Sequence, residues 1–282
     1  MTLNQAGVAD VSLAAIASQD VQNQLADQAV LVNTVLNLSE RVGPGMKSIA
    51  IPRVSGMAAT AIPDSGSDST ASGMTLAVDT LPLTSKREVA EFIYDSSLDS
   101  SVDLKESFFA NAPGVMVEDI ESKIYAELDG ASASNPDHIL QMSGASNLVP
   151  TIADIRLAAK LLDEQKVPQS DRYLIVTPTI KHAILAFSEV SNASAFGNAD
   201  GIQKGYIGEL YGFKILMSNQ VTASTMVAYH RTALAFAFQK QLTAVNTRNE
   251  EKAREFVAIR GHYGQKVLAA GKKCILFNAL GS

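Results

Sequence analysis

Two stretches decide the fold: Val167-Pro-Gln-Ser-Asp-Arg-Tyr-Leu-Ile-Val-Thr-Pro178 and Gly205-Tyr-Ile-Gly-Glu-Leu-Tyr-Gly-Phe-Lys-Ile-Leu-Met-Ser-Asn219. In the first, Tyr173 to Val176 form a short, wholly apolar run, which predicts a buried strand. Thr177-Pro178 then reads as a helix start, a hydroxyl cap followed by a proline whose missing N–H costs nothing in the first turn. Ile180, Ala183, Ile184 and Phe187 fall on one face of that helix. In the second stretch a glycine-punctuated turn leads into another apolar strand, 213–217, with further strands expected at 226–230 and 233–238. Between them, 191–205 is small and polar, with Gly197, Gly201 and Gly205, and reads as a loop. Upstream, Thr151 with Asp154 three residues on has the form of a capping box with Asp in place of Glu. It opens a helix over 150–166 whose buried stripe is Ile155, Ala158, Ala159 and Leu162. Residues 150–245 therefore read as an α/β lobe.

Working outward, 11–36 has helical spacing at Leu13, Ile16, Val21, Leu25 and Val30-Leu31, and Gly43-Pro44-Gly45 stops it. Ser48 to Val54 alternates like a strand, with Pro52 confining it to an edge. Residues 55–75 hold too little apolar surface for a core, and Pro63-Asp64-Ser65-Gly66 signals a turn. Alternation returns over 75–83. The simplest reading is a long hairpin arm; a disordered linker is the bland alternative. Residues 84–100 continue as a strand and a helix start. Leu104, Phe108 and Phe109 mark a short helix, a break is expected at 111–113, and a long helix runs to Asp129. Asn111 is its expected cap, Pro113 sits in its first turn, and Val115, Met116, Ile120, Ile124, Tyr125 and Leu128 are its apolar stripe. Partial alternation over 255–268 and a strand at 273–278 close the chain. The fold class is α+β, in two lobes, with the chain leaving the first and returning to it.

The chain has 282 residues, 46% hydrophobic and 18% charged, enough for a real core. No apolar run approaches the ~20 residues a membrane-spanning helix needs, and Met1 to Asp10 lacks the basic and apolar regions of a signal peptide. The net charge of −6 argues against a protein wrapped directly on nucleic acid, though not against a container around it. The one cysteine, Cys274, cannot form an intrachain disulfide. It reads as a small apolar strand residue, the sharper alternative being a reactive thiolate beside Lys272 and Lys273.

Signatures of catalysis are missing. His138, His182, His230 and His262 lack metal-ligand spacing, and His230-Arg231 reads as a surface turn at a strand end. Gly201-Ile-Gln-Lys-Gly205 is not a phosphate loop, and Met142-Ser-Gly-Ala-Ser146 has no base nearby. Glu118, Asp119 and Glu121 with Lys123 read as a solvated or partner-facing stripe. Glu250-Glu251-Lys252 to Arg254-Glu255 reads as an exposed turn or edge. No catalytic, cofactor-binding or metal residue is assigned.

Three stretches carry a family resemblance. They are Thr84-Ser-Lys-Arg-Glu-Val-Ala-Glu-Phe-Ile93 leading to Val117-Glu-Asp-Ile-Glu-Ser-Lys-Ile124, then Val167 to Pro178 with its helix, and Ile207 to Asn219 followed by Ala235-Phe-Ala-Phe-Gln-Lys240 and Gly261-His-Tyr-Gly264. In that order, from about 45 to the end, the chain resembles the major capsid (coat) proteins of tailed bacteriophages, whose shell fold is shared with encapsulin nanocompartments. The resemblance implies an N-terminal arm over 1–47 and an extended loop over 48–85. It also implies a peripheral domain with a long spine helix over 86–149 and 246–282, and an axial domain over 150–245. It implies a non-enzymatic protein of the virion capsid, assembled in the bacterial cytoplasm as hexamers and pentamers around double-stranded DNA without sequence-specific binding. A separate scaffolding protein, a portal and cement proteins are the implied partners, with no membrane and no cofactor. Some relatives crosslink through a lysine in the extended loop; between Lys47 and Lys86 this chain has none, so no crosslink is expected. Others carry a scaffolding segment at the N-terminus, which the roughly 45 residues here do not accommodate. Asp64 and Asp68 at the arm tip, and Arg53, Lys86 and Arg87 flanking the arm base, are the candidate inter-subunit contacts. An encapsulin-like compartment shell and an enzyme with an unrecognised site remain as alternatives.

Overall fold

The computed structural model describes residues 29–55, 57, 73–95, 104–128, 138–144, 148–187, 208–268 and 274–278. Strands β10 (Leu234–Asn249) and β11 (Arg254–Val267) form a long antiparallel hairpin in register from Leu234↔Val267 to Asn249↔Arg254. Its turn is the charge run Glu250–Lys252, followed by Ala253 in the left-handed region at φ 45°. On the far side of β11, β4 (Ser85–Tyr94) pairs antiparallel, and β1 (Leu36–Asn37) pairs parallel with β10, giving the order β1-β10-β11-β4. Helix α1 (Leu104–Leu128) packs on this sheet. Met116, Val117, Ile120, Ile124, Tyr125 and Leu128 are buried in one core with Phe236, Ile259 and Tyr263. Each such side chain contributes about 1.5–3 kcal/mol by leaving water.

The second sheet has the order β5 (His138–Gln141), β12 (Cys274–Asn278), β9 (Met226–His230), β6 (Arg172–Val176), β8 (Phe213–Met217), β7 (Glu209–Leu210). Helices α2 (Ile152–Glu164) and α3 (Pro178–Leu185) bury Ile155, Ala158, Leu162, Ile180 and Ile184 with Leu174, Val176, Phe213 and Ala228 of this sheet. Ile175, Val227 and Tyr229 join instead the core of α1. Strand β6 is thus covered on both faces, which is why its sequence is continuously apolar rather than alternating. The caps form as expected: the Thr151 N–H donates to Asp154 Oδ2 at 2.7 Å, and Thr177 Oγ1 accepts from the Ile180 N–H at 3.3 Å.

Several expectations are corrected. The helix expected over 11–36 does not extend through its described end: 32–34 is a single 3₁₀ turn, and β1 follows it. Ala29, Leu31, Val32, Val35 and Leu38 are all buried, so tertiary contacts on several sides override helical spacing, and the β-branched Val32, Thr34 and Val35 favour the extended form. The expected break at 111–113 is absent; α1 runs through Pro113, and Asn111 donates its amide to the Ser107 carbonyl at 2.8 Å instead of capping. An internal proline costs about 3 kcal/mol, which the buried stripe beyond it outweighs. Val115, expected on that stripe, is 52% exposed. Residues 234–249 pair within the four-stranded sheet, and 274–278 lie between β5 and β9 of the six-stranded one. The helix expected before residue 29, the arm tip at 63–70 and the loop at 191–205 lie outside the described residues.

Candidate functional site

Among the described residues, one two-stranded ribbon departs from the body of the chain. Strands β2 (Ser48–Ser55) and β3 (Thr75–Pro82) pair only with each other, from Ser48↔Pro82 at the base to Ser55↔Thr75 at the outer end. At the base, Ile49, Leu81 and Leu83 are buried with Leu38, Ala235 and Ala237. The Leu83 N–H donates to the Lys47 carbonyl at 2.9 Å, and the Gln239 side-chain amide donates to the Met46 carbonyl at 2.7 Å. Gly264 on β11 makes the seat: a Cβ there would lie 2.0 Å from the Pro82 carbonyl oxygen. Beyond the base the ribbon changes character. Alternation places Ala50, Pro52 and Val54 opposite Thr80, Val78 and Leu76 on one face. Leu76 is 61% and Val78 55% exposed, and Met74 continues the apolar strip. A two-stranded ribbon with a wet apolar face is marginal alone and is built to lie on something else.

The expected contact residues do not form one cluster. Arg53 is not at the arm base; it sits opposite Ala77 towards the outer end of the ribbon, on the face shared with Ile51 and Asp79. Lys86 and Arg87 open β4, opposite His262 and Gly261. Arg87 Nε reaches Asp119 Oδ2 of α1 at 3.2 Å, and the Tyr263 hydroxyl donates to the same oxygen at 2.7 Å. Burial, with the Asp119 carboxylate second, pushes the Tyr263 phenol well above its ordinary value. Asp64 and Asp68 lie outside the described residues.

Two acidic residues expected at the surface are inside. Glu121 is buried on α1 and accepts from the backbone N–H groups of Val30 and Leu31, the latter at 2.9 Å. It therefore fastens the N-terminal strap, residues 29–38, to the long helix, and the Thr34–Tyr229 hydroxyl contact fastens it to the second sheet. Burial raises the Glu121 carboxyl above its ordinary value of 4.5, against the lowering effect of those hydrogen bonds. The signal was in the sequence: Val117, Glu121, Tyr125 and Leu128 share one helical stripe. Glu255 is also buried, paired with Lys105. His230 is buried too, its Nδ1 accepting from the Thr232 N–H at 3.2 Å, because the turn folds back onto β9. Among the described residues no group of three His, Cys, Asp or Glu side chains is disposed to hold a metal ion, and no helix is long and apolar enough to cross a membrane.

A projecting ribbon, a long helix on a hairpin-built sheet and a mixed sheet between helices define the class of phage shell folds. The chain superposes on a structure of Mycobacterium phage Che8 with a TM-score of 0.72 and 22% identity, covering 90% of this chain and 92% of that one. The capsid of cyanophage P-SCSP1u gives a TM-score of 0.72 at 16% identity, covering 89% and 88%. A virus-like particle from Pyrococcus furiosus gives 0.60 at 12%, covering 92% and 96%. No curated protein sequence matches the chain. A family model described as phage capsid protein matches residues 114–274, more than half of the length. The chain belongs to the phage capsid protein family. It is a major capsid protein, a structural component of the virion that self-associates into the shell, and the family match favours this over a compartment shell.

Proposed function

We propose that this protein tiles an icosahedral shell as hexamers and pentamers, closed around the double-stranded DNA of a tailed phage and assembled in the host cytoplasm. A separate scaffolding protein, a portal and cement proteins complete the assembly. The protein has no catalytic role of its own. The observation that carries the reading is the ribbon: its base is buried in its own subunit while its apolar face stands in water. The charged candidates, Arg53, Asp64, Asp68, Lys86 and Arg87, set register between copies more than strength, since exposed ion pairs contribute only about 0–1 kcal/mol each. We assign the domains by sheet. The four-stranded sheet with α1 is the peripheral domain, and the six-stranded sheet with α2 and α3 is the axial domain that meets its copies around the symmetry axes. The DNA is enclosed rather than gripped, in keeping with a net charge of −6.

Replacing residues 58–72 by a short turn tests the reading. The shortened subunit should keep its far-ultraviolet circular dichroism and lose closed particles in electron micrographs. Normal particles from the shortened chain would refute it.

A further inference from the structure

Three basic side chains stand in a row across the four-stranded sheet. Lys240 of β10 and Lys86 of β4 flank His262 of β11, each directly across the ladder from it. Cross-strand partners share a face. That face is turned away from α1: the chain neighbours Arg87 and Tyr263 reach Asp119 of α1, and alternation sends Lys86 and His262 the other way. The ladder is irregular between Phe238 and Lys240, where Gln239 is the extra residue. The Gln239 side-chain amide holds the Met46 carbonyl, which brings that end of the row against the ribbon base. Gly264, two residues past His262 on the same face, seats Pro82 of the ribbon. On the other side the row is bounded by Arg260, which is paired with Glu88. The row therefore lies between the ribbon base and an ion pair.

No counter-charge accompanies it. Like charges side by side on a sheet destabilise it, yet among the described residues no carboxylate pairs with Lys86, Lys240 or His262. Glu88 is taken by Arg260, and Asp119 by Arg87 on the opposite face. Lys47, whose carbonyl accepts from the Leu83 N–H at the ribbon base, adds a further positive charge there. Lys86 and Lys240 are exposed and His262 is half-buried, so all three can meet a solute. The outer strands are two interstrand spacings apart, about 10 Å, a gap that two flexible lysine stems close over the central ring. An imidazole donates from a ring nitrogen in either protonation state. The row thus offers donors from three directions. The two coplanar oxygens of a carboxylate meet two of them, whereas a tetrahedral dianion presents an oxygen to each and gains charge-assisted hydrogen bonds from both lysines.

We propose that Lys86, His262 and Lys240 form a binding site for a free tetrahedral dianion of the phosphate class at the root of the ribbon. The site goes beyond the shell reading and does not depend on it. Occupancy cancels the repulsion across β4, β11 and β10 and ties the strand that follows the ribbon to the long hairpin.

The test melts the isolated full-length subunit in sodium phosphate and in sodium chloride of equal ionic strength. At about twenty times its dissociation constant, phosphate should raise the parent's melting temperature by about 3–6 °C. Phosphate also stabilises folded proteins without binding a site, so the variants decide. Lys86→Gln and Lys240→Gln should each lose at least half of the shift, while Lys252→Gln, exposed at the turn of the same hairpin, keeps it. Equal shifts in all four proteins overturn the proposal. In chloride, Lys86→Gln and Lys240→Gln should melt no lower than the parent, because each removes a like charge from the row; a lower melt reveals a partner within the subunit and overturns it too. The last arm is a short fluorescent DNA duplex. Binding that needs Lys86 and Lys240 while phosphate leaves melting unchanged assigns the row to a nucleic-acid backbone and overturns the dianion site.

Discussion

Gly264→Ala should unseat the ribbon. The glycine's backbone is not in the left-handed region, so the effect is steric alone. An added Cβ falls 2.0 Å from the Pro82 oxygen, 2.9 Å from its carbonyl carbon and 3.0 Å from the Leu83 Cα. All three are backbone atoms, so no side chain can swing aside. A tolerable carbon–oxygen contact is about 3.3 Å, and the ribbon base must retreat by roughly the difference, a little over 1 Å. That retreat strains the Leu83-to-Lys47 hydrogen bond and opens the packing of Ile49, Leu81 and Leu83. Overpacking of this kind costs about 1–3 kcal/mol, and the upper end is expected here because backbone must move. The displacement is also levered outward along eight ribbon residues, about 26 Å at the usual rise, so the ribbon's outer end is misplaced by several ångströms. Gly261→Ala is the control on the same strand. There the added Cβ meets Leu242 Cδ2 at 2.4 Å, the far end of a side chain that can rotate away. Thermal melts of the isolated subunits and particle counts by electron microscopy read the two effects. Gly264→Ala should melt lower than Gly261→Ala and make fewer or misshapen particles. Equal melting and equal particles for both variants would refute the seat.

Further outcomes follow from the buried charges. Glu121→Gln keeps an oxygen for the Val30 and Leu31 N–H groups and should fold well, whereas Glu121→Ala strands both donors and should lose about 1–3 kcal/mol in denaturant titration. Because burial raises the Glu121 carboxyl, its share of stability is complete below the ordinary value of 4.5 and fades as pH rises through the raised folded value. Glu127, raised by the same cause, behaves alike. Stability measured against pH should therefore fall less steeply above 4.5 in Glu121→Gln than in the parent, and parallel curves would contradict the assignment. Arg172, 2% exposed, donates to the Val167 and Pro168 carbonyls at 2.6 and 2.8 Å and pairs with Asp163 at 2.7 Å. Arg172→Ala leaves buried carbonyls unpaired and should cost about 3 kcal/mol or more; a melting temperature within a degree of the parent would show that these bonds count for little.

What the sequence makes legible is what local physics decides. Thr151 with Asp154, Thr177 before Pro178, and the apolar Tyr173–Val176 run each specify their element within a few residues, and the structure has all three. The ribbon was legible from alternation with Pro52 at an edge. Elements decided at long range were not. Residues 29–38 carry helical spacing yet take the shape of the gap between α1 and both sheets. Cys274–Asn278 reads as a strand, but nothing within it says which sheet admits it. Pro113 looked like a helix start because proline usually is one; here the apolar stripe on the C-terminal side carries the helix through it. The stacking of Arg254 on Phe92 was the least legible feature, since the two meet only because β4 and β11 pair across some 160 residues of chain.

The strap has a consequence for synthesis. It precedes all of its partners in the chain, and some of them come late: Thr34 waits for Tyr229, 195 positions downstream, and Leu36 for Ala235. A nascent chain must hold those apolar residues unsatisfied until most of its length has left the ribosome, which places this fold among slow, high-contact-order architectures. Truncated translation products consequently have no finished subunit to offer a growing lattice, and the ribosome's own directionality screens incomplete copies before assembly begins.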